Sequence, residues 1–274
     1  FSRTLSFIKK DPDIRFDIEW FETNKVDTKR YFALDIFGIE KNFASITDLK
    51  KLKNSNGFFT RVLRKITKNR LGYKKTHFTD ASFDLMKALS QKNIYLDGYW
   101  QKEKYFSEIK DNLNEIFEIK KQLPDSVIEA ASLIKSTDSV SLHVRRGDYV
   151  SDQKTFEFHG VCDLSYYQKA CEAISKKIKN PSFFVFSDDI AWCKANLKLE
   201  NAYFMDFEKN DYSDLFLMSL CKGNVIANSS FSYWGAYLNK NPDKIVISPK
   251  KWFKNEEADK KTEGLIPKSW IRID

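Results

Sequence analysis

Along the second half of the chain, short apolar runs alternate with stretches of helical spacing. Val140, Leu142 and Val144 recur at every second position, which predicts a strand at Ser139–Val144. Phe183-Phe184-Val185-Phe186 is continuous and apolar, as in a strand buried on both faces. Ala202–Met205, Val225–Ala227 and Lys244–Ile247 complete the predicted strands, with helices between them at Ser165–Lys177, Ile190–Leu197, Asp211–Lys222 and Ser230–Asn239. Such a run of β-α-β units predicts a parallel sheet with helices on both faces. The first half is less regular. Ile14–Trp20 and Arg30–Ile36 are predicted as strands, and Ser107–Leu123 as a helix with Ile109, Leu113, Ile116 and Phe117 on one face. A second helix restarts at Pro124-Asp125, with Val127, Ile128, Ala131 and Ile134 inward. The stretch Lys135–Asp138 then reads as the junction of an α/β protein with two domains, residues 1–136 and 137–274.

Composition changes this picture in three ways. The 274 residues are 42% hydrophobic, enough for a substantial core. A net charge of +8 suits an anionic partner: a nucleotide, a nucleic acid or an acidic membrane surface. The four cysteines form no Cys-x-x-Cys pair, as in a protein with reduced thiols, and His159 with Cys162 lacks the second pair a zinc site needs. No metal site is expected. Lys9, Lys10, Asp11 and Pro12 leave no apolar core for a secretory signal, and no stretch reaches the ~20 apolar residues that span a bilayer. The expected location is cytoplasmic.

Charge is concentrated in one place. From Leu49 to Lys75 there are ten Lys or Arg and no Asp or Glu. Phe58, Phe59, Val62, Leu63 and Ile66 fall on one helical face, and Arg61, Arg64, Lys65 and Lys68 on the other. Two readings remain open: a surface helix packed on its own domain, or an amphipathic helix on the inner, anionic membrane face.

In a parallel sheet, ligands bind beyond the carboxyl ends of the strands. After Ser139–Val144 come Arg145, Arg146, Gly147 and Asp148. After Phe183–Phe186 come Ser187, Asp188 and Asp189, and after Val225–Ala227 come Asn228, Ser229, Ser230, Phe231 and Ser232. Arginine holds phosphate with a planar fork of donors, and a helix start offers free N–H groups to an anion. Asp188 and Asp189 can accept hydrogen bonds from a ribose or a guanine, or cap the next helix. His143 alternates with the apolar residues of its strand and can equally be a core histidine. Together these clusters describe a cradle for a nucleoside diphosphate.

The ordered set His-x-Arg-Arg-Gly-Asp-Tyr (143–149), Phe-Ser-Asp-Asp (186–189) and Ile-Ala-Asn-Ser-Ser-Phe-Ser-Tyr-Trp-Gly-Ala-Tyr-Leu (226–238) resembles the α-1,2-fucosyltransferases of glycosyltransferase family 11. Tyr95-Leu96-Asp97-Gly98-Tyr99-Trp100-Gln101 and Tyr105-Phe106 match the same family. The resemblance implies a GT-B arrangement of two Rossmann-like domains, with GDP-fucose held mainly by the second. It also implies metal-independent, inverting transfer to the 2-hydroxyl of a galactoside, with GDP-fucose as substrate and no cofactor. Arg145, carried over from the motif's first arginine, would stabilise the leaving β-phosphate, assisted by Arg146 and Ser229 to Ser232. Asp148, Glu157 and His159 are candidates for the base that removes the acceptor proton. The family opens with a strand and a Gly-Gly-x-Gly-Asn-Gln type loop before a helix. Phe1, Leu5 and Ile8 already have helical spacing, so the expectation is a first domain that begins within that helix.

Two rivals stand beside this reading. Asp188 and Asp189 could hold Mn²⁺ or Mg²⁺ in a metal-dependent sugar transferase. The basic balance permits a nucleic-acid-binding protein, but the cations cluster around apolar helix positions and not around exposed aromatic platforms. A Rossmann oxidoreductase is excluded, since no Gly-x-Gly-x-x-Gly follows any strand.

Overall fold

Apolar residues at helical spacing account for the first element, a helix at Ser2–Lys9 that ends with Lys10 in the left-handed region (φ 53°). The structure is a computed structural model that describes residues 1–10, 13–23, 31–55, 57–67, 72–207 and 210–274. The chain forms two units, Phe1–Lys110 and Asp111–Asp274.

In the first unit the described residues form a two-stranded parallel sheet, β1 (His77–Thr79) and β2 (Tyr95–Asp97), neither of which the sequence pattern singled out. Its centre is an aromatic knot. The Phe1 ring stacks on Trp100 at 4.7 Å, and Phe83 and Tyr105 close around the pair. The turn after β2 requires glycine: Gly98 has φ +147°, and a Cβ there would lie 2.0 Å from Asp80 Oδ1. That carboxylate accepts the Trp100 N–H at 3.1 Å and so fixes the knot. The Tyr95–Gln101 motif therefore builds the fold of this unit.

Two expectations fail here. Ile14–Trp20 and Arg30–Ile36 are not strands: Phe16 makes one isolated bridge to Phe43, Glu19–Thr23 is helical, and Leu34–Phe37 is a 3-10 turn. Arg30 lies outside the described residues. The polar positions of Ile14–Trp20 bind side chains, not a neighbouring strand. Arg15 pairs with Asp13 and Asp48, and Asp17 accepts from Lys53 Nζ at 2.7 Å and from the Tyr95 hydroxyl at 2.6 Å. Ser107–Leu123 is not one helix either. A 3-10 segment, Ser107–Asn112, contains Ile109 with φ −119°, and only Leu113–Ile116 is α-helical. The unit boundary at Lys110 falls inside this stretch, which breaks the continuous face the spacing suggested.

The second unit carries a six-stranded sheet. Its strands are β3 (Ser139–Val144), β4 (Ser182–Ser187), β5 (Ala202–Phe204), β6 (Gly223–Val225), β7 (Ile245–Pro249) and β8 (Ile271–Ile273). All neighbours are parallel, in the order β5-β4-β3-β6-β7-β8. Helix Leu164–Ser175 covers one face, where Tyr166, Tyr167, Ala170 and Ile174 pack on Val140, Leu142, Val185 and Ile247. Helices Asp125–Ser136 and Asp211–Ser219 belong to the other face, where Val127, Ile134, Leu217 and Met218 pack on Phe184 and Phe186. Helix Asp125–Ser136, placed before the domain junction by the sequence pattern, thus shares the core of the second unit. A buried amide ties the middle of the sheet: Asn224 Nδ2 donates to Ser141 Oγ at 2.7 Å and to Met218 O at 2.8 Å, and its Oδ1 accepts from Asn239 Nδ2.

Candidate active site

The strand order reverses beside β3. The chain steps outward through β4 and β5, crosses to the other side of β3 with β6, and continues to β8. Such a reversal opens a crevice beyond the carboxyl ends of the two strands that flank it. The register places the polar clusters there. Arg145 is three residues beyond Leu142 and Asn228 three beyond Val225, the last residues paired between β3 and β6. On the other side Val144 pairs with Ser187, so Asp188 lies alongside Arg145.

The two arginines arrive already oriented. Arg145 Nη1 forms an ion pair with Asp188 Oδ2 at 2.7 Å and its Nη2 pairs with Asp148 Oδ1; the guanidinium lies 5.3 Å from the Tyr149 ring centre. Arg146 Nε donates to Asp189 Oδ2 at 3.1 Å, and its guanidinium lies 4.0 Å above Trp192. Asp188 holds the turn as well, accepting the Arg146 backbone N–H at 2.8 Å. Gly147 completes it, because a Cβ there would sit 2.5 Å from Asp188 Oδ2. Asp189 caps helix Ile190–Asn196 by accepting the Trp192 N–H at 3.1 Å. The motif's charges are thus interlocked: the carboxylates hold the guanidinium forks in place, and a phosphate would compete for the same donors. Among the described residues, no group of three or more His, Cys, Asp or Glu is gathered as a metal-holding set.

The third cluster is mostly structural. Asn228 is buried; its Nδ2 donates to His159 O at 3.0 Å and Trp252 O at 3.2 Å, fastening helix Gln153–His159 and the Trp252 loop to the end of β6. Ser229 caps helix Ser230–Tyr237 by accepting the Phe231 N–H at 3.3 Å. Ser232 is buried and donates to Ser229 O, whereas Ser230 is exposed in the first turn.

The histidines differ. His143 is buried at the end of β3, 5.7 Å from the Phe231 ring, and its Nδ1 has no partner among the described residues. Burial, reinforced by the Arg145 charge, lowers its pKa to about 3, so the ring is neutral. His159 is half-buried and stacks on Tyr149 at 4.6 Å; burial lowers its pKa and Asp148 opposes that shift. Glu157 is exposed and accepts from Gln153 Nε2 at 3.0 Å. Nothing in the spacing of Trp192 and Trp252 ties them to the strand ends, and Cys162, paired in the sequence with His159 as an incomplete metal site, serves here as a partner of Asn228. All four cysteines are free thiols, with Cys162 Sγ donating to Asn228 Oδ1 at 3.6 Å.

Residues 27–274 match the glycosyl transferase family 11 profile. The chain is 36% identical over 250 residues to an α-1,2-colitosyltransferase of Escherichia coli, covering 89% of this chain and 83% of that one. It is 33% identical over 279 residues to the O-antigen biosynthesis glycosyltransferase WbnK of Escherichia coli, covering 94% and 89%. A galactoside α-(1,2)-fucosyltransferase 2 of Pongo pygmaeus matches at 24% identity over 65% of this chain and 54% of its own. A fold with parallel sheets, paired arginines at its strand-order reversal and a match over most of its length make the chain a member of glycosyl transferase family 11.

Proposed function

We propose that this enzyme transfers L-fucose from GDP-fucose to the 2-hydroxyl of a galactoside, with inversion and without a metal ion. The observation that carries the reading is the Arg145-Arg146-Gly147 turn at the reversal between β3 and β6, beside the start of helix Ser230–Tyr237. Cleavage of the sugar–phosphate bond builds negative charge on the β-phosphate. Arg145 exchanges its carboxylate partners for that phosphate and stabilises the charge as it develops. Arg146 and the helix start at Ser229, Ser230 and Phe231 hold the rest of the diphosphate. Asn228 and Ser232 shape that helix start from beneath. His143, neutral and with a ring nitrogen that has no partner among the described residues, is free to hydrogen-bond an uncharged part of the nucleotide, and Asp188 and Asp189 accept hydrogen bonds from it once the arginines turn away. His159 removes the acceptor proton: burial lowers its pKa, so it stays unprotonated at neutral pH. The same reading gives the chain a GT-B arrangement, with the donor held by the unit Asp111–Asp274 and the acceptor by the unit Phe1–Lys110.

A second donor has support of its own, because a relative at 36% identity is named an α-1,2-colitosyltransferase. The test is to assay glycosyl transfer to lactose from GDP-fucose, GDP-colitose and UDP-galactose, each with and without EDTA. Transfer from GDP-fucose that survives EDTA is the expected result. A strong preference for GDP-colitose would replace the sugar and keep the site. Transfer from UDP-galactose, or loss of activity in EDTA, would return the metal-dependent alternative.

A further inference from the structure

A surface helix ordinarily turns its apolar stripe toward its own domain. Helix Phe58–Ile66 does the reverse. The side chains that tie it to its own unit are polar. Thr60 Oγ1 donates to Ser55 O at 3.0 Å and to Gly57 O at 2.8 Å. Arg64 donates to Gly72 O through Nε at 3.2 Å and Nη2 at 3.0 Å, and to Ser55 O at 2.8 Å, with its guanidinium 4.4 Å from the Tyr73 ring centre. Thr60, Arg64 and Thr67 form one stripe at spacings of four and three, and they are the partly covered residues of this turn of chain. The opposite side holds Phe58, Phe59, Val62, Leu63 and Ile66. None of these is buried, and Phe58, Phe59 and Ile66 are 70%, 86% and 74% exposed. The apolar face of this helix is thus not buried against the described residues of its own unit. Lys68, expected on the basic side, lies outside the described residues.

We propose that this helix docks the enzyme on an anionic phospholipid bilayer. Phe58, Phe59 and Ile66 enter the boundary between headgroups and acyl chains, and Arg61 and Lys65 remain among the headgroups beside them. The charge chooses the occupant. Residues Leu49–Lys75 carry ten cations and no carboxylate, and the preceding one, Asp48, is held by Ser45 and Arg15. Two copies of such a surface would repel each other, and a neutral apolar groove would leave Arg61 and Lys65 without an anionic partner. A polyanion without an apolar phase would leave the phenyl rings in water. An anionic bilayer meets both requirements at once. Ile46, also exposed, begins helix Ile46–Leu52, whose Lys50 and Lys51, two of those ten cations, are exposed in turn.

The experiment is co-sedimentation of the full chain with vesicles of phosphatidylcholine alone and of phosphatidylcholine mixed with phosphatidylglycerol. It includes a triple variant, Phe58→Ser/Phe59→Ser/Ile66→Ser, and a double variant, Arg61→Glu/Lys65→Glu. The parent should pellet with the mixed vesicles only, and less so as salt rises. Each variant should lose roughly tenfold or more in partition, since one cation near such a surface is worth about a fivefold change. Thermal unfolding midpoints and fucose transfer to soluble lactose should match the parent, which separates lost docking from lost folding. Equal pelleting with neutral vesicles, or variants that pellet like the parent, overturns the proposal. So does light scattering that finds a dimer abolished by the triple variant with no vesicle binding, which gives the surface to a second copy.

Discussion

The two units treat their aromatic residues in opposite ways. In the second, Phe183, Phe184 and Phe186 of β4 are buried, with Tyr166, Tyr167 and Tyr233 around the same sheet. In the first, Trp20, Phe58, Phe59 and Tyr99 are exposed, and the buried aromatics among the described residues are Phe78, Trp100, Tyr105 and Phe106. The difference lies in what each apolar run has to pack against. A six-stranded sheet with helices on both faces offers two apolar surfaces, so each apolar residue of β4 finds one. In the described first unit the sheet has two strands of three residues, and charged side chains do much of the tethering, such as Lys53 between Asp17 and Glu19. Spacing shows which residues share a face; the polar residues on the other side decide which way that face turns.

The largest effect that tests this contrast is a stability difference between equivalent truncations. Phe184→Ala removes a fully buried ring between helices Asp125–Ser136 and Asp211–Ser219 and should cost about 3–5 kcal/mol in denaturant unfolding. A cost below about 1 kcal/mol would mean that the sheet core is far looser than its burial implies.

Next comes the site. Arg145→Ala should lower kcat/KM by about a hundredfold, or about 3 kcal/mol, and Arg145→Lys should not restore it, because lysine lacks the planar fork that Asp188 and Asp148 orient. Gly147→Ala should fall between parent and Arg145→Ala, since its Cβ displaces Asp188 and with it Arg145. Turnover of Arg145→Ala within threefold of the parent would remove that residue from the chemistry.

Much of the second unit was legible in the sequence and less of the first. The ends of β3 and the start of helix Ile190–Asn196 follow directly from apolar alternation and from a capping aspartate. The strand β6 begins two residues earlier than its apolar run, because Gly223 and Asn224 are poor strand formers held there by hydrogen bonds to distant residues. The strand β8 is only three residues, Ile271-Arg272-Ile273, too short to carry a period. In the site, the arginines and the glycine stood out from the sequence. The use of Asp188 as the clamp on Arg145 and on the Arg146 backbone did not, because it joins residues 42 apart through the pairing of β3 with β4. In the first unit, alternation at Ile14–Trp20 and helical spacing at Ser107–Leu123 were both misleading, since ion pairs and a unit boundary compete with the local pattern.

A smaller effect comes from acid. His143 has a folded pKa of about 3, below its ordinary value of about 6.5, so protons bind the unfolded chain preferentially. Its contribution to stability is complete above pH ~6.5 and is lost as pH falls below that value, at up to about 1.4 kcal/mol per pH unit. Burial lowers the pKa of His159 and of His77 too, so both act in the same direction. His143→Gln should flatten the loss of stability between about pH 6.5 and pH 5, where carboxylates keep their charge. An unchanged slope in denaturant titrations would show that His143 is protonated in the folded protein.

The smallest expected effect sharpens the contrast most. Phe59→Ala removes the same ring as Phe184→Ala, from the exposed side of a helix where the Phe58 ring, 5.9 Å away, is its aromatic neighbour. The helix is held by Thr60 and Arg64 on its other side, and neither touches the substitution. Alanine also has a higher helix propensity than phenylalanine, by a few tenths of a kcal/mol. Unfolding in solution should therefore change by less than about 0.5 kcal/mol, with a slight gain as the favoured sign. A double-mutant cycle sets the two parts apart: Arg64→Ala should loosen the helix by removing three hydrogen bonds to Gly72 and Ser55 carbonyls, and its cost should be the same with Phe or Ala at position 59. Coupling above about 0.5 kcal/mol between positions 59 and 64 would mean that the ring packs on its own unit in solution. The outward apolar face, and the contrast drawn from it, would then fall.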